Sequence, residues 1–306
     1  MENSFNLKPT EVNELLMVRS EQYNTPSFFQ NDPISIPKQF KNQKDIEIIG
    51  FLVATISWGK RESIINSGKK LVKIMGESPY EYVKDYEDGM VFNSEFVHRT
   101  FNTVDLDFFL RALRECYSKN ESLESWFYLN QGEFGIKQRI VNFRNQFLSV
   151  SHEKRSEKHI PNPEKGSAAK RINMFLRWMV RKDSNGVDFG IWKDIKSYEL
   201  YIPLDIHTSR IARSLGILER KQNDWKALEA LMQYLRNLDP NDPAKFDFAL
   251  FGIGITGELD ELEKYMDKAR EIAKQEREKQ EKLKNLPKQP RRLDEIRQRL
   301  GIIKKK

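Results

Sequence analysis

The sequence predicts an all-α protein made of two helical lobes, with a charged helical extension at its C-terminal end. Three observations carry this. Apolar residues recur at helical spacing through most of the first 257 positions. Caps, prolines and glycines punctuate those runs where helices start and stop. Beyond residue 257 the apolar face gives way to dense charge.

Residues 1–43 form a lead-in that packs on the second lobe. Thr10 caps a short helix through Arg19, and the stretch 25–40, with three prolines, reads as loop. Residues 45–58, DIEIIGFLVATISW, are apolar nearly all round, which marks a buried helix at the centre of the first lobe, 44–150. A second helix covers 61–75. Ser78-Pro79-Tyr80-Glu81 combines a capping box with proline at the first helical position. The signal over 91–99 is weak. Leu106, Phe109, Leu110 and Leu113 lay one stripe on a helix over 105–117, where Cys116 reads as a small buried hydrophobe. Helical segments follow at 125–129 and 135–148.

The second lobe, 151–257, opens with a polar, basic loop. Its Lys154, Arg155, Lys158 and Lys165 suit phosphates, or simply solvent. Gly166 ends the loop and Ser167 is placed to cap a helix whose buried stripe is Ile172, Phe175, Leu176 and Met179. Lys170 falls one turn into that helix. Asp205 sits at the start of another, ahead of Ile211, Ala212, Leu215 and Leu218. The plain readings are an exposed helix lysine and an N-cap; a capping aspartate is also rigidly aimed, as a catalytic carboxylate must be. Helices over 225–235 and after Asp242-Pro243 close the lobe near Gly254. The extension, 258–306, begins as a long charged helix over 260–286 and ends in basic residues.

The totals limit the function classes. The chain has 306 residues, 39% hydrophobic and 32% charged, and no 18-residue apolar run for a membrane span. Its polar first residues lack a signal-peptide core. Cys116 is the single cysteine, so no intrachain disulfide or four-cysteine cluster forms, and a reducing, cytoplasmic setting is expected. His98, His152, His159 and His207 are scattered without HExxH spacing, so neither a metal nor a cofactor is expected. The net charge of +7 is a property of the tail. Residues 270–306 hold 14 Lys/Arg against 6 Asp/Glu, leaving 38 basic and 39 acidic residues elsewhere. DNA binding by the body must therefore rest on local patches.

PLDIHTSRIARSLG resembles the V-D-T-H-x-x-R-V-x-x-R-x-G segment of the helix-hairpin-helix DNA glycosylases, the endonuclease III type. Asp205, His207, Arg210 and Gly216 fall on that pattern. AAKRINMFL is similar to the superfamily's G-R-K-T-A-N-V-V-L, with Lys170 on the lysine. The resemblance covers most of 44–254 and lies nearest an uncharacterised bacterial branch. The long Lys–Asp interval is similar to that of the archaeal 8-oxoguanine glycosylases. Two departures stand out. PEKGSAAK replaces the L-P-G-x-G hairpin, and an insert over 183–199 lengthens the Lys170–Asp205 interval. With one cysteine, the iron–sulfur cluster of many endonuclease III relatives is excluded.

The resemblance implies a two-lobed glycosylase-like fold and excision of a damaged base from double-stranded DNA. Lys170 is then the nucleophile and Asp205 the catalytic carboxylate, with Lys165 in reserve as nucleophile. DNA contacts fall to Trp58, Lys165, Gly166, Ser167, Arg171, His207 and Arg210, Trp58 being the wedge candidate or else a groove-lining core residue. The chemistry fits those residue types. A carboxylate stabilises positive charge developing at C1′, and a neutral amine can attack C1′ to give a Schiff base. The base must first leave the stack. Two other readings stay open: a non-catalytic nucleic-acid-binding module of the same fold, and an interaction protein built on the charged C-terminal helix.

Overall fold

A computed structural model of the chain describes residues 7–258, together with 278–279 and 299–301. Met1–Glu258 forms one compact unit and Leu259–Lys306 another. Apart from 278–279, the charged helix expected over 260–286 lies outside the described residues. The first unit is all-α. Its sheet, among the described residues, is one antiparallel pair of two-residue strands, β1 (Val97–His98) and β2 (Phe101–Asn102). Among the described residues no helix is long and apolar enough to cross a membrane.

Helix α1 spans Pro9–Tyr23. It starts at proline, pre-set for the first helical position, so Lys8 rather than Thr10 is the N-cap. It runs past Arg19 because Ser20 and Tyr23 are buried against the last helix of the unit. Helix α2, Gln43–Thr55, is the buried helix of the sequence. Asn42 caps it, accepting the Lys44 N–H at 2.8 Å. It stops at Thr55, three residues before Trp58, and Ser57 donates back to the Val53 carbonyl at 2.7 Å. Helices α3, Arg61–Met75, and α4, Pro79–Lys84, follow. The expected capping box at α4 does not form. Asp45 of α2 takes the Tyr80 N–H at 2.7 Å instead, so α2 caps α4 across space. Helix α5 is Thr103–Lys119 and α6 is Gly135–Leu148, with Leu123–Phe127 a 3₁₀ turn between them.

Phe51 of α2 is the hub of the apolar core. Its ring lies 5.7 Å from Phe109 of α5, 5.4 and 5.3 Å from Phe143 and Phe147 of α6, and 5.5 Å from Phe175. Phe175 belongs to α7, Lys170–Val180, which packs on α2. A methyl on Gly50 would sit 2.9 Å from Met179, so glycine lets these two helices approach.

Glu47, on the same helix, is fully buried and fully used. Its carboxylate accepts from Gln43, Ser122 and the Trp192 indole on one oxygen, and from Tyr117 and the Leu123 N–H on the other, all within 2.7–3.0 Å. Such saturation is what lets a charge sit in a core. Trp192 comes from the insert over 183–199. That segment is a strap sewn down by carboxylates: Glu124 takes the N–H groups of residues 193–195, and Glu199 pairs with Arg139 at 2.9 Å.

Helix α8, Ile206–Ser214, α9, Trp225–Leu238, and α10, Phe246–Thr256, complete the unit. α10 packs between α1 and α8. Gly216, at φ +73°, ends α8 in a Schellman turn, with its N–H on Arg213 and that of Ile217 on Ala212. Gly252 is the tightest point of the α1–α10 contact. A methyl there would lie 2.1 Å from the Tyr23 ring, whose hydroxyl donates to Glu258 at 2.8 Å. Gly252→Ala is expected to cost about 1–3 kcal/mol, read from urea unfolding. A loss under about 0.5 kcal/mol, within the range of surface changes, would mean that Tyr23 moves aside freely.

Candidate active site

A cavity of about 700 Å³ opens among α3, α7, α8, α10 and the turn that follows α2. Lys170, Met174 and Arg177 reach it at successive turns of α7, and Asp205, His207 and Thr208 from the start of α8. Phe29, Asp32, Trp58, Arg61, Asp247 and Phe251 complete most of the wall.

Lys170 is the first residue of α7 rather than one turn in. Ser167 does not cap the helix. It pairs in extended conformation with Asp224, and its hydroxyl accepts the Ala169 N–H at 3.2 Å. Ala169, buried and at φ +48°, makes the left-handed step that starts the helix. A left-handed alanine costs about 1–2 kcal/mol, so packing must enforce it. Gly166, at φ +87°, turns the loop that leads in and gives its carbonyl to the Trp225 N–H at 2.9 Å. The start of α7 is thus tied to the start of α9.

Asp205 is the N-cap of α8, as its sequence setting suggests. Oδ1 accepts the Thr208 N–H at 2.8 Å. Oδ2 stands 3.3 Å from Lys170 Nζ. The cap fixes the carboxylate so that its second oxygen faces the amine. Asp205 is mostly buried, whereas Lys170 keeps about a third of its side chain accessible from the cavity.

The other expected residues divide. His207 lines the cavity and is exposed. Arg210 is exposed and approaches the Gly254 carbonyl at 3.5 Å. Lys165 is exposed and stands outside the cavity wall. Arg171 turns away from Lys170: it donates to the Thr55 carbonyl at 2.6 Å and lies 4.8 Å over the Trp58 ring. Burial pushes its guanidinium down to about 10. Trp58 is a partly exposed wall of the cavity, packed beneath Arg171, edge-on to His98 at 5.1 Å and stacked on His159 at 5.8 Å. Behind it His159 Nε2 is 3.3 Å from Asp105, without hydrogen-bond alignment. Arg155, read as suiting phosphate or solvent, bonds internally to Asp105 and Asn102, both at 2.9 Å.

Three buried, charged cavity residues went unread in the sequence. Asp247 is buried and ion-paired with Arg177, which also meets Asp188 at 3.3 Å. Burial pushes Asp247 up to about 7; Arg177 opposes the rise while Asp205 and Asp188 add to it. Asp32 is also buried and its carboxyl is raised by that burial, against the Ile34 N–H and Arg177. Arg177 had a signal: it follows Lys170 by seven positions, two turns along one face. The two aspartates had none, since Asp32-Pro33 reads like any capped turn.

The family profile described as "Protein of unknown function (DUF2400)" matches residues 32–256. The chain belongs to the DUF2400 family. The matched region of this DUF2400 protein runs from Asp32 to the last residue of α10, and holds every cavity residue named above except Phe29. No curated protein and no solved structure matches the chain.

Proposed function

We propose that this DUF2400 protein is a DNA glycosylase that excises a damaged base and cleaves at the resulting abasic site. One observation carries the reading. Lys170 Nζ and Asp205 Oδ2, separated by 35 positions of chain, meet at 3.3 Å in a cavity with room for a flipped nucleotide.

The amine attacks C1′ as the bond from C1′ to the base nitrogen breaks, and the base leaves with the bonding pair and takes up a proton. Asp205 Oδ2 is the nearest acceptor for the proton the amine must lose. The same carboxylate opposes positive charge growing at C1′. Opening of the sugar ring leaves an imine between Lys170 and C1′, and that imine permits strand cleavage.

The test is a panel of duplexes carrying single damaged bases or an abasic site, scored for base release, strand cleavage and borohydride trapping. Turnover of one lesion with a trapped adduct supports the reading. Tight binding with no release on any duplex would favour the non-catalytic module, for which the replaced hairpin speaks. The basic residues of 270–306 are expected to raise affinity through phosphates. Truncation after Glu258 should weaken binding and flatten its dependence on salt. An unchanged salt slope would assign the tail another purpose.

A further inference from the structure

Asp32 and Asp247 are buried carboxylates of the cavity that the reaction above does not use. Asp32 is 9% and Asp247 4% exposed. One oxygen of each is engaged: Asp32 Oδ1 accepts the Ile34 N–H at 3.2 Å, and Asp247 Oδ2 pairs with Arg177. Among the described residues the second oxygen of each accepts no hydrogen bond, and neither is a sealed orphan atom. Both residues line the cavity, and those second oxygens are not sealed from solvent. A buried acceptor without a partner costs free energy, and a ligand donor recovers it. Phe29 and Phe251 line the same cavity as near-parallel rings, 6.5 Å between centroids and 21° between planes, which adds apolar surface to the wall.

We infer that Asp32 is the residue that reads the flipped base, accepting N–H groups from a base edge that carries a lactam N–H beside an amine. This inference rests on the glycosylase reading. A carboxylate fork matches two adjacent N–H donors, and the bound oxygen keeps a second lone pair. Asp32 and Lys170 line the same cavity, so a base held by Asp32 shares that cavity with the nucleophile. A base with no donor on that edge leaves the carboxylate unpaired and is rejected.

The experiment separates recognition from chemistry. Duplexes carry a 2′-fluoro nucleotide, which disfavours positive charge at C1′ and blocks cleavage, so affinity alone is read. The target base is guanine (lactam N–H and amine), hypoxanthine (lactam N–H only) or purine (neither), each opposite an abasic spacer. The full chain is expected to bind guanine about tenfold more tightly than purine, with hypoxanthine between. Asp32→Asn keeps an oxygen for the Ile34 N–H but turns an amide donor to the cavity. It should bring the three affinities within about twofold or reverse them. Equal wild-type affinities, or an order that survives Asp32→Asn, overturn the inference while trapping still stands. Absence of abasic trapping in the wild type removes the glycosylase reading, and this inference with it. The wild-type series decides even if the variant folds poorly.

Discussion

Lys170→Gln is expected to abolish covalent trapping on abasic DNA, a drop of about a thousandfold or more, because glutamine has no nucleophilic amine. The fold should tolerate the change. The lysine is partly exposed, and partly exposed ion pairs hold little stability. Asp205→Asn is the companion. Its amide oxygen can still cap α8 through the Thr208 N–H, but the negative charge beside C1′ is gone. Base release should slow by about 10²–10⁴-fold while DNA binding and thermal stability hold. Trapping that survives Lys170→Gln would assign the nucleophile to another amine. Lys165, the reserve candidate, would have to come in from outside the cavity wall. Full activity in Asp205→Asn would leave the residue a helix cap and nothing more.

The sequence was legible where one helix decides the outcome. The buried helix α2, the stripes on α5 and α7 and the cap at Asp205 follow from spacing and from residue type. What escaped it depends on contacts between distant segments. Lys170 begins its helix because Ser167 pairs with Asp224 and Ala169 is forced left-handed, and neither is a local preference. The capping box at 78–81 failed because Asp45, 35 positions away, reached the Tyr80 N–H first. The insert over 183–199 lengthens the Lys170–Asp205 interval in the sequence, yet its Val187, Asp188, Trp192 and Ile195 complete the interior of the unit. Asp32 and Asp247 gain their meaning only from the cavity they share.

Arg177→Met is expected to be strongly destabilising. Arg177 is buried between Asp188 and Asp247 and lies 4.6 Å over the Phe248 ring. Arg181, one turn on, pairs with Asp183, Asp188 and Asp242. Methionine keeps much of the bulk but leaves Asp247 buried without its cation, and Asp188 with only Arg181. Removing one partner from a buried network costs about 3–5 kcal/mol, a large share of a typical domain's stability. Chemical denaturation should place the midpoint well below wild type. The double variant Arg177→Met, Asp247→Leu should recover part of the loss, because the stranded charge goes with it. A single variant within about 1 kcal/mol of wild type would mean that Asp247 sits protonated and needs no partner.

The Glu47 carboxylate bears on how fast this chain reaches its native state. Its donors are spread along the polypeptide: Tyr117 and Leu123 lie 70 and 76 positions away, and Trp192 lies 145 away. No local stretch can satisfy it. Until the strap closes over α2, the charge keeps its water, and a collapsed intermediate that buried it early would be penalised. Glu47 thereby delays consolidation of the interior until chain segments far apart in order have come together, and loop closure over that span is entropically slow. Refolding should therefore be governed by docking of the strap rather than by formation of the helices, and a tryptophan-fluorescence phase that disappears in Trp192→Phe would mark that docking.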